Sequence, residues 1–222
     1  MDYMTKNRPH SVVGRWGNDH DYLPAAGHDR LLPAYDLLTW VLGAGPIYDQ
    51  LIAQASLFDG ARVLEVGCGT GNVAIRAIRA VPAAEVTALD PDPRALNRAR
   101  RKAGDRPGVH FEQGYAQQLR YAEGAFDRVL SSMMLHHLDH DVKAAALAEA
   151  FRVLKPGGEI HVVDVVHTHG RVHTTAGEVP ELIRLSGFHC SVTGARRLRF
   201  VGQVQYCCGV KPADNSSGPV QS

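Results

Sequence analysis

Residues 63–72 read VLEVGCGTGN, and ALDPDP follows at 88–93. Three glycines at alternate positions directly after a short apolar run exclude most folds. They demand a strand that ends in a tight turn and lets backbone approach a ligand closely before a helix begins. An acidic residue, Asp90, ends the next apolar run, 19 positions after Gly71. A carboxylate at that spacing accepts hydrogen bonds from ribose hydroxyls. The two features together predict an adenosine-containing ligand at the end of a parallel sheet.

The rest of the chain carries the matching rhythm. Apolar runs at 62–66, 85–90, 109–113, 126–133 and 159–165 read as strands. Helical patterns at 72–80, 93–103 and 142–154 lie between them, and Gly157-Gly158 turns the chain into the fifth strand. This is a βαβ alternation, which predicts a doubly wound parallel sheet. After about residue 175 the rhythm changes to a helix, EVPELIRLSGF, and two strand-like runs, HCSVTGARR and VGQVQYCCGV, expected to pair as a hairpin through residues 199–202.

Before the sheet, Leu31, Tyr35, Leu38 and Leu42 share one helical face. Gly43-Ala44-Gly45-Pro46 breaks that pattern, and a second helix is expected over 47–57. The expected organisation is a flexible segment 1–30, one domain over 31–211 and a disordered tail 212–222. Within the domain, cap helices take 31–57 and the catalytic core 61–211.

Composition narrows the function. The 222 residues carry a net charge of +1, with 45% hydrophobic and 21% charged residues, so no strong field draws in nucleic acid or anionic membrane. The basic run around Arg94, Arg98, Arg100, Arg101 and Lys102 has Asp90, Asp92 and Asp105 nearby and reads as a solvated helix face. No stretch reads as a signal peptide or a membrane span, and the four cysteines do not form a disulfide framework. A cytoplasmic protein without stable membrane insertion, monomeric or homodimeric, is expected.

The glycine spacing then separates two ligand classes. A dinucleotide fingerprint would place a glycine where Asn72 stands. Glu65, two residues before Gly67, would repel a pyrophosphate and attract a cationic amino-acid group.

With VLEVGCGTGN, ALDPDP, GYAQQLRYAEGAFDRVLSSMMLHHL and EAFRVLKPGGEIHVVDV in order, the chain resembles the class I S-adenosylmethionine-dependent methyltransferases, near the ubiquinone/menaquinone methyltransferase branch. The resemblance runs over residues 32–211. It implies an α/β fold: a Rossmann-like seven-stranded sheet in the order 3-2-1-4-5-7-6, with the last strand antiparallel. It also implies S-adenosyl-L-methionine as cofactor and a small, hydrophobic or aromatic methyl acceptor as partner. Gly67, Gly69 and Gly71 would carry the methionine part and Glu65 its ammonium. Asp90 would hold the ribose, Pro91 would pack on the adenine, and the Ala116 N–H would meet an adenine ring nitrogen. Cys68, Tyr115 and Ser131 complete the expected cofactor set.

Two positions depart from the family pattern. Tyr115 stands where an aspartate normally accepts from the adenine amino group, and only about ten residues follow the fifth strand before the next helix. The alternative these departures raise is a methyltransferase-like protein that binds the cofactor but transfers poorly.

His136 and His137, after the fourth strand, are the candidate catalytic residues, as base or substrate contact; packing and capping are the competing roles. Tyr35 is the tentative substrate contact, with core packing explaining its pattern equally well. His167, His169 and His173 have metal-like spacing, but 12 histidines make such clusters common, and no metal is expected. Cys207 and Cys208, as strand neighbours, face opposite ways and cannot jointly chelate.

Overall fold

The computed structural model describes residues 44–166, 177–198 and 202–213. Tyr35, the first N-terminal helix, the histidines at 167–173 and the tail beyond residue 213 therefore lie outside the described residues.

Seven strands form one sheet in the order β3-β2-β1-β4-β5-β7-β6. They are β1 Arg62–Val66, β2 Glu85–Asp90, β3 Val109–Gln113, β4 Phe126–Ser132, β5 Leu154–Val166, β6 His189–Leu198 and β7 Gly202–Val210. The first five pair in parallel, and β7 is antiparallel to both β5 and β6. The expected order and the antiparallel last strand are both present.

Strand alternation sends Val63 to one face and Leu64 to the other, and each face collects its own helices. On the first, α1 (Gly45–Ala55), α2 (Asn72–Ala80) and α3 (Pro93–Ala103) pack over Val63, Val86, Leu130, Val163 and Tyr206. On the second, α4 (His140–Val153) and α5 (Glu178–Leu185) pack over Leu64, Val129, Ile160, Val162 and Cys207. Both cores consist mainly of aliphatic side chains with little or no exposed area, which is the hydrophobic contribution that holds the layers.

Among the boundaries that differ from the sequence reading, two have a clear physical cause. Gly45 and Pro46 open α1 instead of preceding it, because proline fits a first helical turn, where its missing N–H has no partner to lose. β5 begins at Leu154, not Glu159: Leu154 pairs with Phe126, and the register then shifts to Arg128 with Glu159. The Gly157-Gly158 turn is thus absorbed as an irregularity within the strand. Gly157 has φ +76°, which suits the residue without a Cβ.

Candidate functional site

A cavity of about 230 Å³ opens at the carboxyl ends of β1, β2 and β4, where neighbouring crossovers go to opposite faces and leave a crevice. Its floor is the glycine loop. Gly67 has φ +71°, and a Cβ there would stand 2.2 Å from Met134 Cγ. Gly71 has φ +76°, and a Cβ there would stand 2.8 Å from the Phe111 ring. Both the turn and the close packing beneath it therefore require glycine.

The loop's donors are mostly engaged. Gly67 N–H and Cys68 N–H both donate to the Leu89 carbonyl, at 2.8 and 3.0 Å. Gly69 N–H donates to Asp90 Oδ2 at 2.7 Å. These are groups that a phosphate-binding loop would hold open for its anion.

Glu65 is 2% exposed, and its Oε2 accepts from Ala74 N–H at 2.8 Å, in the first turn of α2. Its accepting oxygen therefore sits at the positive end of the helix. Sequence reasoning missed this structural role. Burial nonetheless pushes the carboxyl up to about 8, with the Ala74 hydrogen bond pulling the other way. Asp90 is similarly buried and raised to about 6 by burial, against hydrogen bonds from Asp92 and Gly69 N–H. Each Asp90 oxygen accepts one backbone N–H, leaving lone pairs for further donors.

The cavity wall carries Glu65, Gly67, Cys68, Gly69, Asp90, Pro91, Tyr115, Ala116 and His137 from the expected set. Gly71, Ser131 and His136 lie off it. Gly71 is the left-handed residue preceding α2. Ser131 pairs with Val66 and Val162 inside the second core, and its neighbour Ser132 lines the cavity. Cys68 is buried with its thiol pushed well up by burial and the nearby carboxylates, so it fills space as an unreactive thiol. Tyr115 is 37% exposed at the rim.

His136 has a different surrounding. Its Nδ1 meets Asp164 Oδ1 at 2.5 Å, and its backbone N–H donates to Asp164 Oδ2 at 3.0 Å. A carboxylate only accepts, so Nδ1 carries a proton towards Asp164. The His137 ring lies 3.9 Å from that of His136, tilted by 44°. His137 has an accessible edge at the cavity but is crowded elsewhere, and burial, then the neighbouring His136, lower it to about 4. That direction keeps the ring neutral near pH 7. Asp164 was not a candidate from sequence; the i to i+28 pairing exists only once β4 and β5 are adjacent.

The segment after β3 is held from behind. Glu149 Oε2 accepts from Leu119 N–H at 2.8 Å, and Arg152 donates to the carbonyls of Tyr121 and Leu119 at 2.8 and 3.0 Å. The two side chains also pair with each other at 2.7 Å. The EAFR portion of the fourth sequence block thus clamps the stretch that presents Tyr115 and Ala116.

Taken together, the described wall carries three carboxylates, Glu65, Asp90 and Asp139, and no lysine or arginine. The other side is apolar, with Met133, Met134, Leu138, Val142 and Tyr48. The nearest part of the basic helix, Lys102 Nζ, is directed to Asn72 Oδ1 at 2.7 Å and Thr70 Oγ1 at 3.3 Å. Such a cavity favours a ligand with a positive end and an apolar one, and disfavours a diphosphate.

Residues 63–158 match the family described as methyltransferase domain. A demethylmenaquinone methyltransferase from Deinococcus radiodurans is 34% identical over 140 residues, 60% of this chain and 56% of that protein. The chain spans little more than half the length of the curated relatives it matches first. Among solved structures, magnesium protoporphyrin IX methyltransferase from Synechocystis, with bound SAM, superposes with a TM-score of 0.65 at 19% identity, over 77% of this chain and 80% of that one. A [4+2]-cyclase superposes with a TM-score of 0.65 at 22% identity, over 77% and 82%. At these identities the superpositions establish the fold; the cyclase shows that the fold alone does not set the reaction.

Proposed function

We propose that the chain uses the part that matches the methyltransferase-domain family, residues 63–158, to move a methyl group from S-adenosyl-L-methionine to a small hydrophobic or aromatic acceptor. One observation carries the reading: a glycine-floored cavity lined by Glu65 and Asp90, without a cation among its described residues, faces an apolar wall. When bound, S-adenosylmethionine supplies a methyl group already activated on a sulfonium.

The chain's own residues then bind, align and exclude water. Glu65 offers its remaining oxygen capacity to the ammonium, and Asp90 accepts from the ribose hydroxyls. Pro91, Tyr115 and Ala116 bracket the adenine. Met133, Met134, Leu138 and Val142 hold the acceptor in a dry site, where alignment for in-line attack is the main requirement. His137, neutral at physiological pH, serves as a hydrogen-bonding contact to the acceptor, and the Asp164–His136 pair fixes the ring beside it. The quinone-type methyltransferase among the relatives agrees with an apolar acceptor.

A second reading, a chain that binds the cofactor but transfers weakly, rests on Tyr115 at the rim. An adenine amino group left without an acceptor costs about 1–3 kcal/mol.

Calorimetric titration with S-adenosylmethionine and S-adenosylhomocysteine, beside Asp90→Ala, tests both readings. Micromolar binding by the wild type that the variant loses supports the site. Transfer of a labelled methyl to lipophilic phenols or quinones then supports the first reading, and binding without transfer the second. No binding by the wild type would overturn both.

A further inference from the structure

On the sheet face that carries α1, away from the cavity, Glu159, His161 and Cys208 each bring a ligand atom within 4.8 Å of the others. We propose that these three side chains form a site for one borderline-soft divalent cation of the zinc class.

The register makes the cluster. His161 lies directly opposite Cys208 on the antiparallel pair β5–β7. Glu159 precedes His161 by two residues and so shares its face. Thiolate, imidazole and carboxylate are the donors such an ion selects, and three protein ligands leave one position for water. Their spacing needs only small rotations to reach ordinary ligand separations, because all three are already held on adjacent strands.

No partner at Nδ1 fixes the imidazole in one tautomer. The His161 side chain is 3% exposed, yet its Nδ1 has no hydrogen-bond partner. Its other nitrogen, Nε2, meets Glu159 Oε2 at 2.8 Å. With no acceptor or donor locking Nδ1, the ring is free to carry its proton there and present Nε2 as a lone pair towards Glu159 and Cys208. The cation then replaces the proton shared between Nε2 and the carboxylate, and the thiol binds as thiolate, releasing its own proton.

Arg128 Nε, 3.6 Å from Glu159 Oε2, opposes a cation; the two anionic ligands offset it. Arg128 is also tied elsewhere, to the Ala55 carbonyl at 2.9 Å and the Asp127 carbonyl at 2.9 Å. His189 on β6, opposite Val210, shares the face of Cys208 at the diagonal position.

The test uses the full chain, stripped with chelator and titrated with cobalt(II), then zinc(II). The expected result is one equivalent bound, with a sulfur-to-cobalt charge-transfer band that zinc(II) abolishes by displacement. Cys208→Ser should remove the band, and Glu159→Gln should weaken binding at least tenfold while unfolding at the same temperature as the metal-free wild type. Absence of the band in the wild type overturns the proposal. A band that persists in Cys208→Ser overturns it too, since another thiol would then be the ligand. Cofactor binding is read separately and does not enter either outcome.

Discussion

At the scale of single residues, the carboxyl of Glu65 sets a pH dependence. It is raised to about 8 by burial, above its ordinary value, so folding takes up a proton there. Its contribution to stability is fully present below the unfolded value of 4.5 and is lost as pH rises through about 8. A cationic ligand reverses the balance by favouring the charged form. Cofactor affinity should therefore rise with pH through about 8 with proton release. Calorimetry in two buffers of different ionisation enthalpy measures the released proton. Glu65→Gln should bind about 10- to 100-fold more weakly, from the loss of about 1.5–3 kcal/mol for a charged hydrogen bond, and should show no such release near pH 8. A wild type with pH-independent affinity would remove Glu65 from the ammonium site. For the histidine pair, Asp164→Asn should lower kcat and leave the S-adenosylhomocysteine Kd within a few fold. An equal loss in both would make Asp164 a part of the fold instead.

At the scale of elements, two devices aim the cavity. One is the glycine loop, whose packing against Met134 forbids a Cβ at Gly67. Gly67→Ala should cost at least the left-handed backbone penalty of about 1–2 kcal/mol and lose cofactor binding as Met134 is displaced. The other is the Glu149–Arg152 clamp on residues 119 and 121. Arg152→Ala frees two carbonyls and should destabilise the chain by about 1–3 kcal/mol. It should also raise the cofactor Kd several fold without altering the acceptor KM, since the clamp holds the segment that carries Tyr115 and Ala116. Denaturant melts and steady-state kinetics on one preparation separate these effects.

At the scale of the whole molecule, the sheet's switch point decides where a ligand binds, and the summed charge decides which kind. S-adenosylhomocysteine at 100 times its Kd should stabilise the fold by about 2.7 kcal/mol. That corresponds to a rise in Tm of roughly 5–10 °C for a chain of this size. NAD at the same concentration should give no shift, because the wall presents carboxylates and its loop N–H groups are engaged. A comparable shift with NAD would reverse the ligand assignment. Among the described residues, no helix is long and apolar enough to cross a membrane.

The sequence by itself determined the layer order and the ligand class. Alternating glycines, an acidic strand end and a change of rhythm after residue 175 are local signals. Local backbone chemistry and periodicity are what decide a strand, a tight turn or a helix start. Glu65, Gly67, Asp90, Pro91 and Ala116 were legible for that reason, since each lies at or shortly past a strand end and lines the cavity. Only the tertiary structure decided what the buried polar groups do. Glu65 meets the first turn of α2, Asp164 meets His136 across 28 residues, and Glu149 with Arg152 reaches back some 30 residues to the segment after β3. It also decided that Ser132, not Ser131, faces the cavity, and that Glu159, His161 and Cys208 converge. Hydrogen bonds and ligand sets between distant segments depend on strand register, and a one-residue slip turns each side chain to the opposite face. No local pattern encodes that register; it is set when the two cores close on either side of the sheet.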